Sequence, residues 1–330
     1  MMKNIALVNL GGTISATGMD RLDLKDYQSG VLSGEDFLKQ LPELKQLANI
    51  HLVQMDNISS TQINEQHWIQ LKDRVESFLN EQHYDGVVIT HGTSTLEETA
   101  YFLHLTVNSE KPVVLVGAQR PFTALSTDAH LSLIHAVRVA IHPNSRNKGV
   151  LITHNDEIHS ARDVSKTETY RINTFRSGAM GTLGFIEPDG SIQYYRTPTR
   201  RHTTQSQFST LTIDQLPNVE IIYSYAGATG ELIHHITRTG KYAGIVIAGT
   251  GAGRFSKREE EALREARKKG LHVVRSNRVG NGRVVDIDAY QSLATISADN
   301  LSPQKARILL MLSLSVNRNV DPIQHFFDEH

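Results

Sequence analysis

Two threonines stand where predicted strands end in glycine-containing turns, and their hydroxyl groups could serve as nucleophiles. Thr13 follows a Gly-Gly pair after the apolar run 5–10, and Thr93 follows a His-Gly pair after the apolar run 86–90. In open α/β sheets, ligands bind at the carboxyl ends of the strands. A hydroxyl held there attacks a substrate when a base activates it. On residue type alone, both threonines also fit a tight turn or a helix cap.

Strand-like and helical segments alternate along the first half of the chain. Short apolar runs predict strands at 5–10, 51–55, 86–90, 112–116 and 149–153. Amphipathic patterns predict helices at 66–79, 95–107 and 128–140. Strands that alternate with helices at this spacing form a parallel sheet covered by helices on both faces. The sequence therefore predicts the α/β class.

The length and a polar central stretch predict two domains. A chain of 330 residues exceeds the usual size of one domain and can bury a large core. We place a larger N-terminal parallel-sheet domain at 1–196, a linker without periodicity at 197–217, and a smaller C-terminal α/β domain at 218–330. The last of these carries predicted strands at 219–223, 244–248 and 271–274, and a predicted helix at 257–268.

Composition excludes several classes of partner and chemistry. The chain has 34 basic and 35 acidic residues and a net charge of −1, which does not indicate a nucleic-acid or anionic-membrane partner. It has no cysteine, so neither disulfides nor a thiol nucleophile are expected. No apolar run approaches the roughly 18 residues of a membrane helix. No signal-peptide pattern precedes the first strand, which predicts a cytoplasmic protein.

Further segments extend the pattern set by the two threonine turns. They lie in the same order along the chain at 111–114, 117–121, 162–167, 181–184 and 303–307. Together with the two turns, they closely resemble the bacterial L-asparaginase family of threonine amidohydrolases over nearly the whole sequence. The resemblance implies hydrolysis of a small amide, L-asparagine first, without a cofactor. It also implies a homotetramer in which the neighbour's smaller domain completes each site.

The same resemblance implies a role for five residues. Thr13 matches the nucleophile, Tyr27 the tyrosine that hydrogen-bonds it, and Thr93 the second catalytic threonine. Lys166 matches the lysine that supports that second threonine, and Ser60 matches the serine that binds the substrate α-carboxylate. Without the family pattern, the tyrosine is an ordinary loop aromatic, the lysine a solvated surface charge, and the serine part of a loop leading to a helix.

Two segments are expected to assist these residues. The stretch 16–30 is rich in Gly, Asp and Ser, which is typical of a mobile loop that closes over a substrate.

The helix at 95–107 begins at a hydroxyl cluster in which Ser94 and Thr95 each precede a glutamate by three residues. This spacing predicts a capping box. The free N–H groups of the first turn would then face a developing oxyanion.

Three positions depart from the family pattern. Ser94 and Thr61, which we assign to substrate binding, stand where the family has an aspartate and usually a glutamine, and Ala252 stands where a neighbouring subunit supplies an asparagine. A missing carboxylate weakens recognition of an α-ammonium, because two unit charges 4 Å apart attract by about 4 kcal/mol at an effective dielectric near 20. Asp286 or Asp288 of a partner could compensate. The alternatives are an amide, lactam or ester substrate without that ammonium, and a catalytically weakened binding protein.

Two other constellations are weaker. The stretch 249–254 follows a strand and contains three glycines, but its sixth residue is arginine and the next strand does not end in an acid, which argues against a dinucleotide site. The chain has 16 histidines, including His154 and His159 five residues apart, yet no His-Glu-x-x-His motif. A metal site is therefore not predicted.

Overall fold

The computed structural model describes residues 1–330 and divides them into two compact units. These units span Met1–Thr212 and Ile213–His330. The division falls inside the stretch 197–217, and the domain limits 1–196 and 218–330 stay predictions. No helix of the chain combines the length and apolar character that crossing a membrane requires. The homotetramer and the cytoplasmic location also stay predictions.

The first unit alternates strands and helices. Its helices are α1 (Gly34–Gln40), α2 (Glu43–Leu47), α3 (Glu65–Glu76), α4 (Leu96–Thr106) and α5 (Ala129–Ile141). Its strands are β1 (Asn4–Gly11), β2 (Asn49–Ile58), β3 (Gly86–Thr90), β4 (Val113–Val116), β5 (Val150–His154), β6 (Glu157–Ser160), β7 (Ser165–Lys166), β8 (Phe175–Arg176), β9 (Gly184–Ile186) and β10 (Ile192–Tyr194).

One eight-stranded sheet forms the centre of this unit, in the order β10-β9-β6-β5-β4-β3-β1-β2. Strands β2, β1, β3, β4 and β5 are parallel, which confirms the predicted parallel sheet. The antiparallel extension by β6, β9 and β10 was not predicted. These strands have three or four residues each, which is too short for an alternating pattern to stand out.

Helices cover both faces of the central strands. Helices α1, α2 and α5 share one core cluster that includes Phe37, Leu44 and Leu133. Helices α3 and α4 lie on the opposite face and pack through stacked Trp68 and Phe102 rings, whose centroids are 5.5 Å apart. Because β3, β4 and β5 are consecutive neighbours while α4 and α5 take opposite faces, the segment 117–128 leads from β4 to the face opposite α4.

The stretch 197–212 is held in the first unit although its sequence is polar and aperiodic. It contains a short 3-10 turn at Thr203–Gln205. The His202 ring packs against His104 with a centroid distance of 5.1 Å, and the Phe208 side chain is fully buried. Buried side chains therefore anchor a segment that composition marked as a linker.

The second unit is a smaller α/β arrangement. Its strands are β11 (Val219–Tyr223), β12 (Gly244–Gly249), β13 (His272–Asn277) and β14 (Ile296–Ser297), and all are parallel in that order. Its helices are α6 (Glu231–Thr239), α7 (Lys257–Lys268), α8 (Asp288–Gln291), α9 (Pro303–Val316) and α10 (Val320–Glu329). The apolar residues 308–312 of α9 are buried, so these side chains contribute to the hydrophobic core of the chain itself.

Candidate active site

A close approach of two glycine backbones joins the two threonine turns. Gly12 has φ of +84°, and a Cβ on Gly12 would lie 2.2 Å from the Gly92 Cα. No side chain larger than hydrogen fits this contact without moving one turn. The turns that carry Thr13 and Thr93 are therefore adjacent at the carboxyl ends of β1 and β3.

Ser60 closes the third side of the same junction. It is buried and begins a short 3-10 turn after β2, and a Cβ on Gly92 would lie 2.7 Å from its Oγ. Its carbonyl accepts a hydrogen bond of 2.8 Å from the Thr95 hydroxyl. The structure thus brings Ser60 together with Gly12 and Gly92. Thr61 is exposed beside it, and its hydroxyl lies 2.9 Å from that of Ser59.

Asn9, which we did not single out from the sequence, holds the first turn in place through side-chain hydrogen bonds. This fully buried side chain accepts hydrogen bonds from Gly11 N at 3.1 Å, Ser15 Oγ at 3.1 Å and Thr90 Oγ1 at 2.6 Å. Its amide nitrogen donates to the Gln54 side chain at 3.1 Å. The signal that could have found Asn9 is its polarity inside an otherwise apolar strand.

Thr13 and Tyr27 form the first hydroxyl pair. Their oxygens are 3.0 Å apart, and Thr13 is half-buried at the start of a 3-10 turn. The loop 16–30 that carries Tyr27 is pinned at its base by two backbone hydrogen bonds of 3.2 Å between Thr17 and Gln28. The structure therefore brings together the two residues that the resemblance pairs.

The same loop is tied to the segment that follows β4. Phe122 N donates to Ala16 O at 2.9 Å, and Leu125 N donates to Arg21 O at 2.9 Å. A third bond of 3.0 Å runs from Gly18 N to a threonine hydroxyl in the same segment. The position of loop 16–30 therefore depends on the segment 117–128.

Thr93 and Lys166 form the second pair. Lys166 Nζ donates to Thr93 Oγ1 at 2.9 Å, and only 6% of Thr93 is exposed. Lys166 is brought there by the β7–β8 hairpin, in which it pairs with Phe175. A third side chain joins them, because both Thr93 and Lys166 also donate to Gln119 Oε1, at 3.0 and 2.7 Å.

Burial alters the charge state of Lys166. Desolvation lowers the pKa of its amine to about 8, while the negative charges of Glu97 and Asp128 act in the opposite direction. The Glu97 carboxylate also accepts a hydrogen bond from the backbone N–H of Lys166. An amine with this pKa is partly neutral near pH 8 and can accept a proton from the hydroxyl beside it.

His91 holds the second turn as a neutral ring. Burial lowers the pKa of His91 to about 4, so the ring carries one proton at neutral pH. Its Nδ1 donates to Gly92 O at 2.7 Å, and its Nε2 lies 2.9 Å from Thr99 Oγ1, which in turn accepts a bond from Trp68 Nε1. This chain of bonds orients the histidine, and its lowered pKa keeps the ring uncharged at neutral pH.

The predicted capping box at α4 is wrong. The helix begins at Leu96 with Thr95 as N-cap residue, but no side chain caps it. The Thr95 hydroxyl donates its hydrogen bond to Ser60 O. The Glu97 carboxylate accepts a hydrogen bond from the backbone N–H of Lys166. Ser94 is exposed. Tertiary contacts therefore override the local signal.

The remaining sequence candidates belong to the second unit. Ala252, Asp286 and Asp288 are exposed in the second unit. The glycine-rich stretch 249–254 closes on itself through two backbone bonds between Thr250 and Arg254, at 2.7 and 2.9 Å. No group of three or more metal-ligating side chains converges anywhere in residues 1–330.

Comparisons with known proteins decide the family. Residues 4–200 match the family "Asparaginase, N-terminal", and residues 218–327 match the "Glutaminase/Asparaginase C-terminal domain". The chain belongs to the asparaginase family. The proteins of this family that the chain resembles bear the names of amide C–N hydrolases, and the chain is accordingly an amidohydrolase of the asparaginase type.

Relatives match over almost the full length. The chain is 42% identical to an L-asparaginase 2 of Bacillus subtilis, covering 100% of this chain and 87% of that protein. It is 40% identical to a glutaminase-asparaginase of Pseudomonas fluorescens, covering 100% and 91%. A solved structure described as a "Probable Cytoplasmic L-asparaginase" from Campylobacter jejuni superimposes with a TM-score of 0.96 at 40% identity, covering 99% of this chain and 100% of that chain.

The glycine junction leads to a first prediction. Gly12→Ala should lower kcat/KM for amide hydrolysis by at least about 100-fold, because the new Cβ forces the two threonine turns apart. The matched control is Gly270→Ala, where φ is +89° and nothing lies within 4 Å of the new Cβ. It carries similar backbone strain of about 1–3 kcal/mol and should keep its activity. Steady-state kinetics and thermal unfolding of both variants test this, and unchanged turnover in Gly12→Ala would contradict it.

Proposed function

We propose that the chain hydrolyses L-asparagine to L-aspartate and ammonia through a covalent ester on Thr13. The observation that carries the proposal is the contact between Lys166 Nζ and Thr93 Oγ1 at 2.9 Å, one glycine contact away from Thr13. This contact supports a role for Lys166 as the base that acts on the Thr93 hydroxyl, while Thr13, the proposed nucleophile, lies in the adjoining turn. The names of the relatives from Bacillus subtilis and Pseudomonas fluorescens support asparagine as the first substrate to test.

In the first half-reaction, Thr13 Oγ1 bonds to the amide carbon. The Thr13 proton leaves through the hydrogen bond to Tyr27, and the backbone N–H of Thr93 stabilises the oxyanion. When the carbon–nitrogen bond breaks, the leaving nitrogen takes up the proton that Thr13 gave up through Tyr27 and departs as ammonia. The acyl group stays on Thr13 as an ester.

In the second half-reaction, water hydrolyses the Thr13 ester. Neutral Lys166 withdraws a proton through Thr93 from the attacking water, whose oxygen bonds to the acyl carbon. The bond to Thr13 Oγ1 breaks, the proton that Lys166 took from the water passes to Thr13 Oγ1, and the acid is released. The intact Thr93–Lys166 contact favours this enzyme over a catalytically weakened binding protein.

Neutral side chains at Ser94 and Thr61 shape the substrate preference that we propose. Ser60 keeps the element assigned to the α-carboxylate, but serine and threonine hydroxyls stand where the family resemblance places an aspartate and a glutamine. These two residues are exposed and carry no charge. This observation favours a second candidate substrate class, amides that keep the carboxylate and lack the α-ammonium, such as succinamate.

The second prediction tests the two half-reactions. Thr13→Ala, Thr93→Val and Lys166→Met should each lower kcat by roughly a thousandfold or more in an ammonia-release assay, because each removes a group that acts on the reacting atoms. In Lys166→Met, ester hydrolysis slows, so mass spectrometry should find one acyl group on the peptide that contains Thr13. The control Lys148→Met, which removes a lysine bonded to Thr197 instead, should keep normal turnover. Full activity in Thr13→Ala would remove the proposed nucleophile.

The third prediction concerns pH. Lys166 works as a base only when neutral, and burial lowers its pKa to about 8. Because Lys166 acts in the second half-reaction, we expect kcat to rise about tenfold between pH 7 and 9 and then to level off. Lys166→Arg should be inactive at every pH in this range, because a guanidinium does not deprotonate. A profile that is flat between pH 6 and 9 in the unmodified chain would refute this assignment.

The fourth prediction concerns Ser94. Ser94→Asp should raise the ratio of kcat/KM for asparagine over succinamate by about tenfold or more, because the carboxylate attracts the α-ammonium. Ser94→Asn keeps the shape without the charge and should leave the ratio unchanged. If the unmodified chain strongly prefers asparagine and Ser94→Asp does not change the ratio, a carboxylate from elsewhere recognises the ammonium.

A further inference from the structure

We propose that Gln119 is a positioning residue that gathers the Thr93 hydroxyl and the Lys166 ammonium on one carbonyl oxygen, and thereby sets the pH range in which Lys166 becomes a base. This inference deepens the proposed function and rests on it. Neither the sequence reasoning nor the resemblance assigned a role to Gln119.

Three polar atoms meet at the Gln119 side chain. Its Oε1 accepts from Thr93 Oγ1 at 3.0 Å and from Lys166 Nζ at 2.7 Å, while the same Nζ donates to Thr93 Oγ1 at 2.9 Å. The three groups form a closed triangle of hydrogen bonds. Only 7% of Gln119 is exposed, so water competes little for its oxygen.

The orientation of the Gln119 amide follows from its surroundings. Its Nε2 faces two backbone carbonyls, those of Thr169 at 3.4 Å and Arg171 at 3.2 Å. A flipped amide would point N–H groups at the Lys166 ammonium and its oxygen at the two carbonyls, which loses the hydrogen bonds to Lys166, Thr169 and Arg171. The carbonyl oxygen therefore faces Lys166.

The backbone of Gln119 is also held. Its N–H donates to one oxygen of the Asp128 carboxylate at 2.9 Å, and the next N–H, of Arg120, donates to the other oxygen at 3.0 Å. These bonds fix Gln119 relative to Asp128 at the start of α5. Its side-chain nitrogen, bonded to Thr169 O and Arg171 O, also holds the hairpin that carries Lys166.

A fixed carbonyl changes the balance of charge at Lys166. The other charged or titratable groups that act on the amine are Glu97, Asp128 and His154. Burial lowers the pKa of His154 to about 4, so this ring is neutral at pH 7. The Gln119 oxygen stabilises the ammonium form against the desolvation that favours the amine. It also accepts a hydrogen bond from the Thr93 hydroxyl in the resting state; once Lys166 is neutral, the hydroxyl can donate to the amine instead.

Two substitutions at Gln119 give opposite expectations. Gln119→Met is unbranched and of similar length, but it removes the strong acceptor. The Lys166 ammonium loses a partner, so its titration should move down by about one pH unit. Gln119→Glu puts a negative charge beside the ammonium, so the titration should move up by about one pH unit or more. Both variants lose the bonds to Thr169 and Arg171, so a merely structural role would shift both in the same direction.

The control variant is Thr174→Val. The Thr174 hydroxyl donates to Glu168 O at 2.6 Å within the same hairpin, without a hydrogen bond to Thr93 or Lys166. This change loosens the hairpin that Gln119 clamps and leaves the triangle of bonds complete. It should lower stability and leave the Lys166 titration in place.

The experiment uses two readouts on the full chain. The first is the pH dependence of acetylation at Lys166, followed by peptide mass spectrometry, which reports the neutral amine without any turnover. The second is the low-pH limb of kcat for asparagine, which should move with the first, because Lys166 acts on the ester that remains after ammonia has left.

Opposite shifts in Gln119→Met and Gln119→Glu, with none in Thr174→Val, support the proposal. Acetylation profiles that do not move, or that move in one direction in both Gln119 variants, overturn it. If the unmodified chain releases no ammonia from asparagine, the proposed function fails, and the acetylation profiles still decide the role of Gln119.

Discussion

The contact between Gly12 and Gly92 is the constraint on which the candidate site depends. Parallel strands place their carboxyl ends at one edge of the sheet, but edge placement alone leaves neighbouring turns several ångströms apart. Here the backbones touch, since a Cβ on Gly12 would lie 2.2 Å from the Gly92 Cα. Ser60 packs against the other side of Gly92, so three strand ends converge on one point. Thr13, Thr93 and Ser60 then project from turns that cannot shift alone.

Buried polar residues beneath this junction keep the turns in register. Asn9 and His91 are enclosed by apolar strands, where an unpaired polar group costs about 1–3 kcal/mol. Asn9 bonds to both threonine turns, through Gly11 N and Thr90 Oγ1, and His91 bonds to the Gly92 carbonyl. A displaced turn would leave these groups without partners. The site is therefore held by hydrogen bonds that specify geometry as well as by close packing.

The sequence predicts the parallel strands and the two threonine turns because both leave local signals: apolar runs, glycines and hydroxyls in a fixed order. It does not predict partners that are distant in the chain. Gln119 lies inside a segment that carries the family resemblance, yet its role depends on Thr93 and Lys166, 26 and 47 residues away. The capping prediction failed for the same reason, since Ser60 O, 35 residues away, takes the Thr95 hydroxyl. The roles of the site residues stay predictions until kinetics test them.

The segment 117–128 has a mechanical consequence, because it serves two parts of the site at once. Gln119 lies near its start, Asp128 anchors its end, and residues 122–125 between them hold loop 16–30 through three hydrogen bonds. An opening of this loop, as the sequence predicts, would break these bonds in the middle of a segment whose two ends are joined to each other. In the proposed mechanism, the loop that carries Tyr27 and the side chain that contacts Lys166 thus depend on one short backbone segment, so a movement of the loop reaches the proposed base through this segment.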